Sequence, residues 1–161
     1  MMVWVVLSLK SDNRHLSENL IPGFGCPQQR LQNSTPGAQG MALYVRERFH
    51  SFQQCKLECS CHESCVFHIC SGINFFYVYA FFRNPGHDGS LYDCLLDSLA
   101  QVQSVDYKAV FIFVGDANAH CTEWLESVFT TDQHERTALN FCNLSGCEQL
   151  VRCSTHIAGC S

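Results

Sequence analysis

Phe111-Ile112-Phe113-Val114-Gly115-Asp116-Ala117-Asn118-Ala119-His120 decides how this chain folds. Ala109 to Val114 read as a buried strand, because aromatic and β-branched residues suit a pleated, covered surface. The polarity changes at Gly115, whose missing side chain lets the backbone turn. Asp116 and Asn118 stand two apart, so in extended geometry they share a face. The carboxyl ends of strands are where open α/β sheets bind ligands. A carboxylate there can orient a water or hold a cation, and a neutral amide can grip a phosphoryl oxygen. The competing explanation is an Asx-type turn, which both residues also favour.

Working outward, Ile73 to Phe82 is a long aromatic and aliphatic run that stops at Arg83-Asn84-Pro85-Gly86, a strand followed by a break. Asp88 or Ser90 can cap a helix to about Gln103, with Leu91, Leu95, Leu99 and Val102 as its apolar stripe and Cys94 beside it. Val105 to Lys108 turns the chain into the strand that ends at Asp116. A short helix is expected over Thr122 to Val128. Another is expected over about Glu135 to Ser145, with Ala138, Leu139, Cys142 and Leu144 inward and Gly146 as its stop.

Upstream, Val3 to Leu9 and Met41 to Val45 read as strands. A turn-rich connector, Ile21 to Gly25, and a polar loop, 32–40, lie between them. Alternation in Leu57, Cys59, Cys61 and again in Cys65, Phe67, Ile69 predicts a hairpin with its turn at Glu63-Ser64. Strands joined to helices in this order indicate a layered α/β domain.

The chain has 161 residues, 47% of them hydrophobic and 16% charged, with 12 Phe and a formal net charge of −5. That is enough apolar material for a core and too little charge for a disordered tail. No stretch approaches the roughly 18 apolar residues of a membrane span, so no membrane role is expected. A pI near 5.8 argues against an electrostatic coater of nucleic acid.

Twelve cysteines need an explanation. Zinc modules usually supply ligands as spaced pairs, and the chain contains no C-x2-C. Cys55, Cys59, Cys61, His62, Cys65, His68 and Cys70 are instead read chiefly as packing residues on strand faces, with structural zinc and disulfides as the lesser readings. No zinc is expected. Cys121 beside His120 is a poor nucleophile–base pair, since neighbours on an extended chain point opposite ways. The opening MMVWVVLSLK lacks the charged start and small-residue cleavage site of a signal peptide, and reads as a buried strand. Glycosylation triplets occur at Asn33 and Asn143, the latter within a helical pattern. The expectation is an intracellular chain, nuclear or cytoplasmic, with reduced thiols.

Several segments together resemble the endonuclease/exonuclease/phosphatase superfamily, from about Leu20 to Gly159. Gly40-Met41-Ala42-Leu43-Tyr44-Val45 resembles its glycine-then-strand segment. Tyr77 to Pro85 resembles its "VYR-P" strand end, and Val114 to His120 its "GDFNAHH" motif. Trp124, Thr137 to Cys142 and Thr155-His156 follow in the family's order. More narrowly, the chain looks like the apurinic-type endonuclease domain that LINE-like, jockey-related non-LTR retrotransposons carry before their reverse transcriptase.

The resemblance implies a four-layer α/β sandwich, with helices outside two packed, mostly antiparallel sheets, present here as an incomplete domain over residues 1–161. It implies a metal-dependent phosphodiesterase that nicks target DNA and leaves a 3′-hydroxyl. Asp116 would orient or deprotonate the attacking water, Asn118 would hold the phosphate, and Mg2+ or Mn2+ would stabilise charge. DNA would be the target and a reverse transcriptase domain the companion. His120, Phe82, Arg83 and Asn84 would neighbour the site.

The departures are specific. Val3 to Leu9 falls where the family has a strand ending in a metal-binding Glu, and it holds no acid. Phe82 replaces a Tyr. The closing Ser-Asp-His is absent before Ser161. No complete metal site is therefore expected, and the isolated chain is expected not to cleave DNA. Two other readings compete with this one. One is a domesticated, non-catalytic protein-interaction module on the same half-fold, and the other is a phosphatase-like relative.

Overall fold

Along Asn74–Phe82, Phe76, Val78 and Ala80 point to one side and Tyr79 and Phe81 to the other, and all five are buried. A strand covered on both faces must sit inside layers, which is why its sequence is apolar almost throughout. The computed structural model describes residues 3–9, 21–25, 28–30, 40–54, 57–59, 63–83, 90–116 and 133–150. Among them the chain runs β1 (Val3–Leu9), β2 (Gln28–Arg30), β3 (Gly40–Val45), β4 (His50–Gln53), β5 (Glu63–Ser71), β6 (Asn74–Phe82), α1 (Ser90–Val105), β7 (Val110–Asp116) and α2 (Gln133–Ser145).

These strands make two sheets, one ordered β1-β3-β2 and one ordered β4-β5-β6-β7. Every pairing is antiparallel except β6 with β7, which α1 connects as a crossover. Leu43 and Val45 of the small sheet share a core with Cys65, Phe67, Ile69, Phe76, Val78 and Ala80 of the large one. On the far face of the large sheet, Val66, Tyr79 and Phe81 pack against Leu91, Tyr92 and Leu95 of α1 and Ala138 and Phe141 of α2. Among the described residues the layers are thus sheet, sheet and helices, the α/β class expected and three of the four layers. Among the described residues, no helix is long and apolar enough to cross a membrane.

The helices follow their patterns. Leu91, Leu95, Leu99 and Val102 are all buried. Gly146, with φ of 68°, ends α2 in the left-handed conformation that glycine adopts without a Cβ penalty. Leu144 departs from expectation and is exposed. At 100° per residue it lies roughly 90° round α2 from the middle of the Ala138–Phe141 stripe. Phe141 takes the inward place, edge-on to Phe113 at 5.2 Å.

The hairpin is also relocated. Its arms are β5 and β6, and the turn is Gly72-Ile73 rather than Glu63-Ser64, since Glu63 pairs with Phe82 and Ser71 with Asn74. A two-residue hairpin turn requires positive φ, which Gly72 supplies at 63°. This register gives nine cross-strand partners and buries Cys65, Phe67 and Ile69 together. Leu57 to Cys59 consequently lies in the connection from β4 to β5. The expected loop over 32–40, apart from Gly40, and the expected helix over 122–128 lie outside the described residues.

Candidate active site

Parallel pairing brings the carboxyl ends of β6 and β7 to one rim. Phe82 is the register partner of Asp116, and the Arg83 amide donates to the Asp116 carbonyl at 2.9 Å. Both chains therefore leave the sheet side by side.

Gly115 makes this closeness possible. A Cβ on it would fall onto the Phe81 carbonyl, 2.9 Å from the carbonyl carbon and 2.9 Å from Cδ2 of the Phe81 ring. Its φ is not positive, so the glycine serves close approach within β7 and not a turn, a correction to the sequence reading.

Asp116 is exposed at the end of β7. Alternation places it on the face of Ile112 and Val114, which pack on the inter-sheet core, as does its neighbour Phe82. The rim thus carries an exposed acidic residue beside a half-buried aromatic ring. Phe82 has no hydroxyl and offers only apolar surface. β1, whose sequence VWVVLSL contains no acid, lies against β7.

Arg83 is 1% exposed and is the largest fully buried side chain among the described residues. A guanidinium is permanently charged, so keeping it inside requires partners within the protein. Its guanidinium is thus held in the interior, out of solvent. Asn118, His120 and Asn84 lie outside the described residues, as do Trp124 and Thr155-His156.

A hard divalent cation takes six or more oxygen ligands, several from water. Among the described residues there is no group of three or more His, Cys, Asp or Glu that could hold a metal ion. Among the described residues the rim offers one carboxylate, Asp116. A single carboxylate supplies one or two of those ligands. The cysteine and histidine cluster is likewise divided. Cys65 is buried in the inter-sheet core, while His68 is on the opposite face of β5, stacked on Tyr77 at 4.8 Å.

No protein-family model and no curated protein matches the sequence. Among solved structures, the chain is similar to the endonuclease domain of TRAS1, a telomere-specific non-LTR retrotransposon, with a TM-score of 0.61 and 16% identity over 88% of this chain and 58% of that one. The fold is of the endonuclease/exonuclease/phosphatase type. A structure of D. rerio TDP2 complexed with single-strand DNA product is also similar, with a TM-score of 0.49 and 12% identity over 75% of this chain and 49% of that one. The present chain thus spans just under three-fifths of the TRAS1 domain.

Proposed function

We propose that this chain is an incomplete endonuclease-type phosphodiesterase domain from a non-LTR retrotransposon, acting on DNA in its intact form and catalytically incompetent as it stands. The observation that supports this most is the rim itself. An exposed carboxylate, Asp116, ends a half-buried strand beside the end of a parallel neighbour.

In this reading Asp116 orients the attacking water and accepts its proton, and Asn118 holds a phosphoryl oxygen. Water attacks phosphorus, the bond to the 3′-oxygen breaks, and that oxygen takes a proton from solvent to leave as a hydroxyl. In the complete enzyme a divalent ion such as Mg2+ or Mn2+ would offset charge on the phosphate. The strand expected to supply its principal Glu is VWVVLSL, without an oxygen ligand stronger than Ser8. The intact element would join a reverse transcriptase domain to this one and work inside the cell, in nucleus or cytoplasm.

The test is Mg2+-dependent nicking of supercoiled plasmid by the purified chain, with Asp116→Ala alongside. The expected rate is that of buffer. A reverse transcriptase reading frame in the adjoining genomic sequence would support the mobile-element origin; an unrelated flanking gene would count against it.

A further inference from the structure

Cys59 lies in the connection from β4 to β5, and Cys94 lies on the first half of α1. Their Sγ atoms are 2.6 Å apart across 35 residues of sequence, and both are reduced thiols. Independent polar contacts hold the two segments together. The Cys59 amide donates to Ser64 Oγ at 2.9 Å, which ties the connection to β5. Ser98, one turn after Cys94, reaches the Leu57 carbonyl at 2.7 Å and the Cys94 carbonyl at 2.8 Å. Ser64 and Ser98 are themselves buried, so these anchors are shielded from water. The thiols are therefore presented to one another by the fold, without any need for the sulfurs to attract.

We infer that Cys59 and Cys94 are a redox modification site, a dithiol that small disulfides such as oxidised glutathione convert to a cross-link between the β4–β5 connection and α1. The chemistry follows the exposure. Cys59 is 4% exposed and Cys94 is half-buried, so Cys94 meets the oxidant first. Its thiolate attacks one sulfur of glutathione disulfide, forming a mixed disulfide and expelling one glutathione thiolate. Cys59 then gives up its proton to solvent and attacks Cys94 Sγ, expelling the second glutathione. Two protein thiols are oxidised, one disulfide is reduced to two thiols, and the electrons balance. Reaching a bonded distance requires the sulfurs to close by only about 0.5 Å. In a reducing compartment such a bond is transient and responds to the thiol pool.

The experiment oxidises the full reduced chain with glutathione disulfide, alkylates remaining thiols and digests with trypsin. The fragment 84–108 carries Cys94 as its single cysteine, and fragment 57–83 carries Cys59, Cys61, Cys65 and Cys70. The expected product joins these two fragments, and fragmentation of the linked pair assigns the bond to Cys59. The protein becomes about 2 Da lighter, and its melting midpoint rises by roughly 10 °C, as a cross-link closing a long loop should cause. Cys94→Ser, at a half-exposed site, removes both the link and the rise while leaving the reduced melting midpoint within about 2 °C. Recovery of 84–108 alkylated or glutathionylated overturns the inference, as does its attachment to Cys61 or any other cysteine. Because the assignment is read from the unmutated chain, it does not depend on Cys59→Ser folding.

Discussion

The Arg83 amide and the Asp116 carbonyl meet at 2.9 Å, and this hydrogen bond ties the exit of β6 to the exit of β7. Whatever chemistry the rim supports depends on that closeness, and the closeness depends on Gly115.

Gly115→Ala should therefore be costly although the residue is exposed. Its methyl would press on the Phe81 backbone, which cannot move without opening the β6–β7 ladder. A loss of about 2 kcal/mol in urea unfolding is expected, in the range of overpacked sites. Asp116→Ala, one position on, should cost less, because the residue is exposed and the bond from Arg83 goes to its backbone carbonyl, which alanine keeps. Equal losses for the two would contradict the close-approach role.

Phe67→Ala should destabilise by about 3–5 kcal/mol, because Phe67 is wholly buried between the sheets. Leu144→Ser should be close to neutral, since Leu144 is 76% exposed. Chemical denaturation of both variants checks which residues form the core, and a costly Leu144→Ser would restore the inward placement its sequence suggested.

Burial pushes the Tyr79 hydroxyl above its ordinary value of 10.0, and the Cys59 charge pushes the same way. Ser64, Ser98 and the Cys59 backbone offset this in part, without a full hydrogen bond to the hydroxyl. Since the folded state favours the neutral phenol, the associated stability is intact below about pH 10 and lost as pH rises through the raised value. Melting midpoints measured from pH 8 upward should fall on the alkaline side, and Tyr79→Phe should blunt that fall. An unchanged pH profile in the variant would remove Tyr79 from the cause.

Much of this was legible in the residues. β6 and α1 declare themselves because their apolar periodicities match the two-sided sheet and the helix stripe that bury them. β7 is a strand as expected but only half-buried, a correction to its reading as a buried strand, because among the described strands it ends the sheet order. Asp116 was legible as a strand-end carboxylate. β2 and β4 were not, since QQR and HSFQ carry little apolar signal, and their extended state comes from backbone pairing with β3 and β5. The hairpin turn was misplaced because alternation at Leu57, Cys59 and Cys61 imitates a strand. The Gly72 signal was available, but its force came only from the long register it permits. Gly115's closeness to Phe81 and the Cys59–Cys94 contact join residues far apart in sequence, and local patterns do not carry such information.

The proposal that the rim is a phosphodiesterase site lacking the acid expected at the end of β1 is tested most directly by plasmid nicking with Glu substitutions there. Leu7→Glu, Ser8→Glu and Leu9→Glu sample both faces of the strand, each with and without Asp116→Ala. The unsubstituted chain should leave supercoiled DNA intact in Mg2+. One Glu variant should gain Mg2+-dependent nicking, and Asp116→Ala should abolish it. Nicking by the unsubstituted chain that disappears with Asp116→Ala would show a complete site and contradict the proposed incompetence. Nicking indifferent to Asp116 would contradict the site itself.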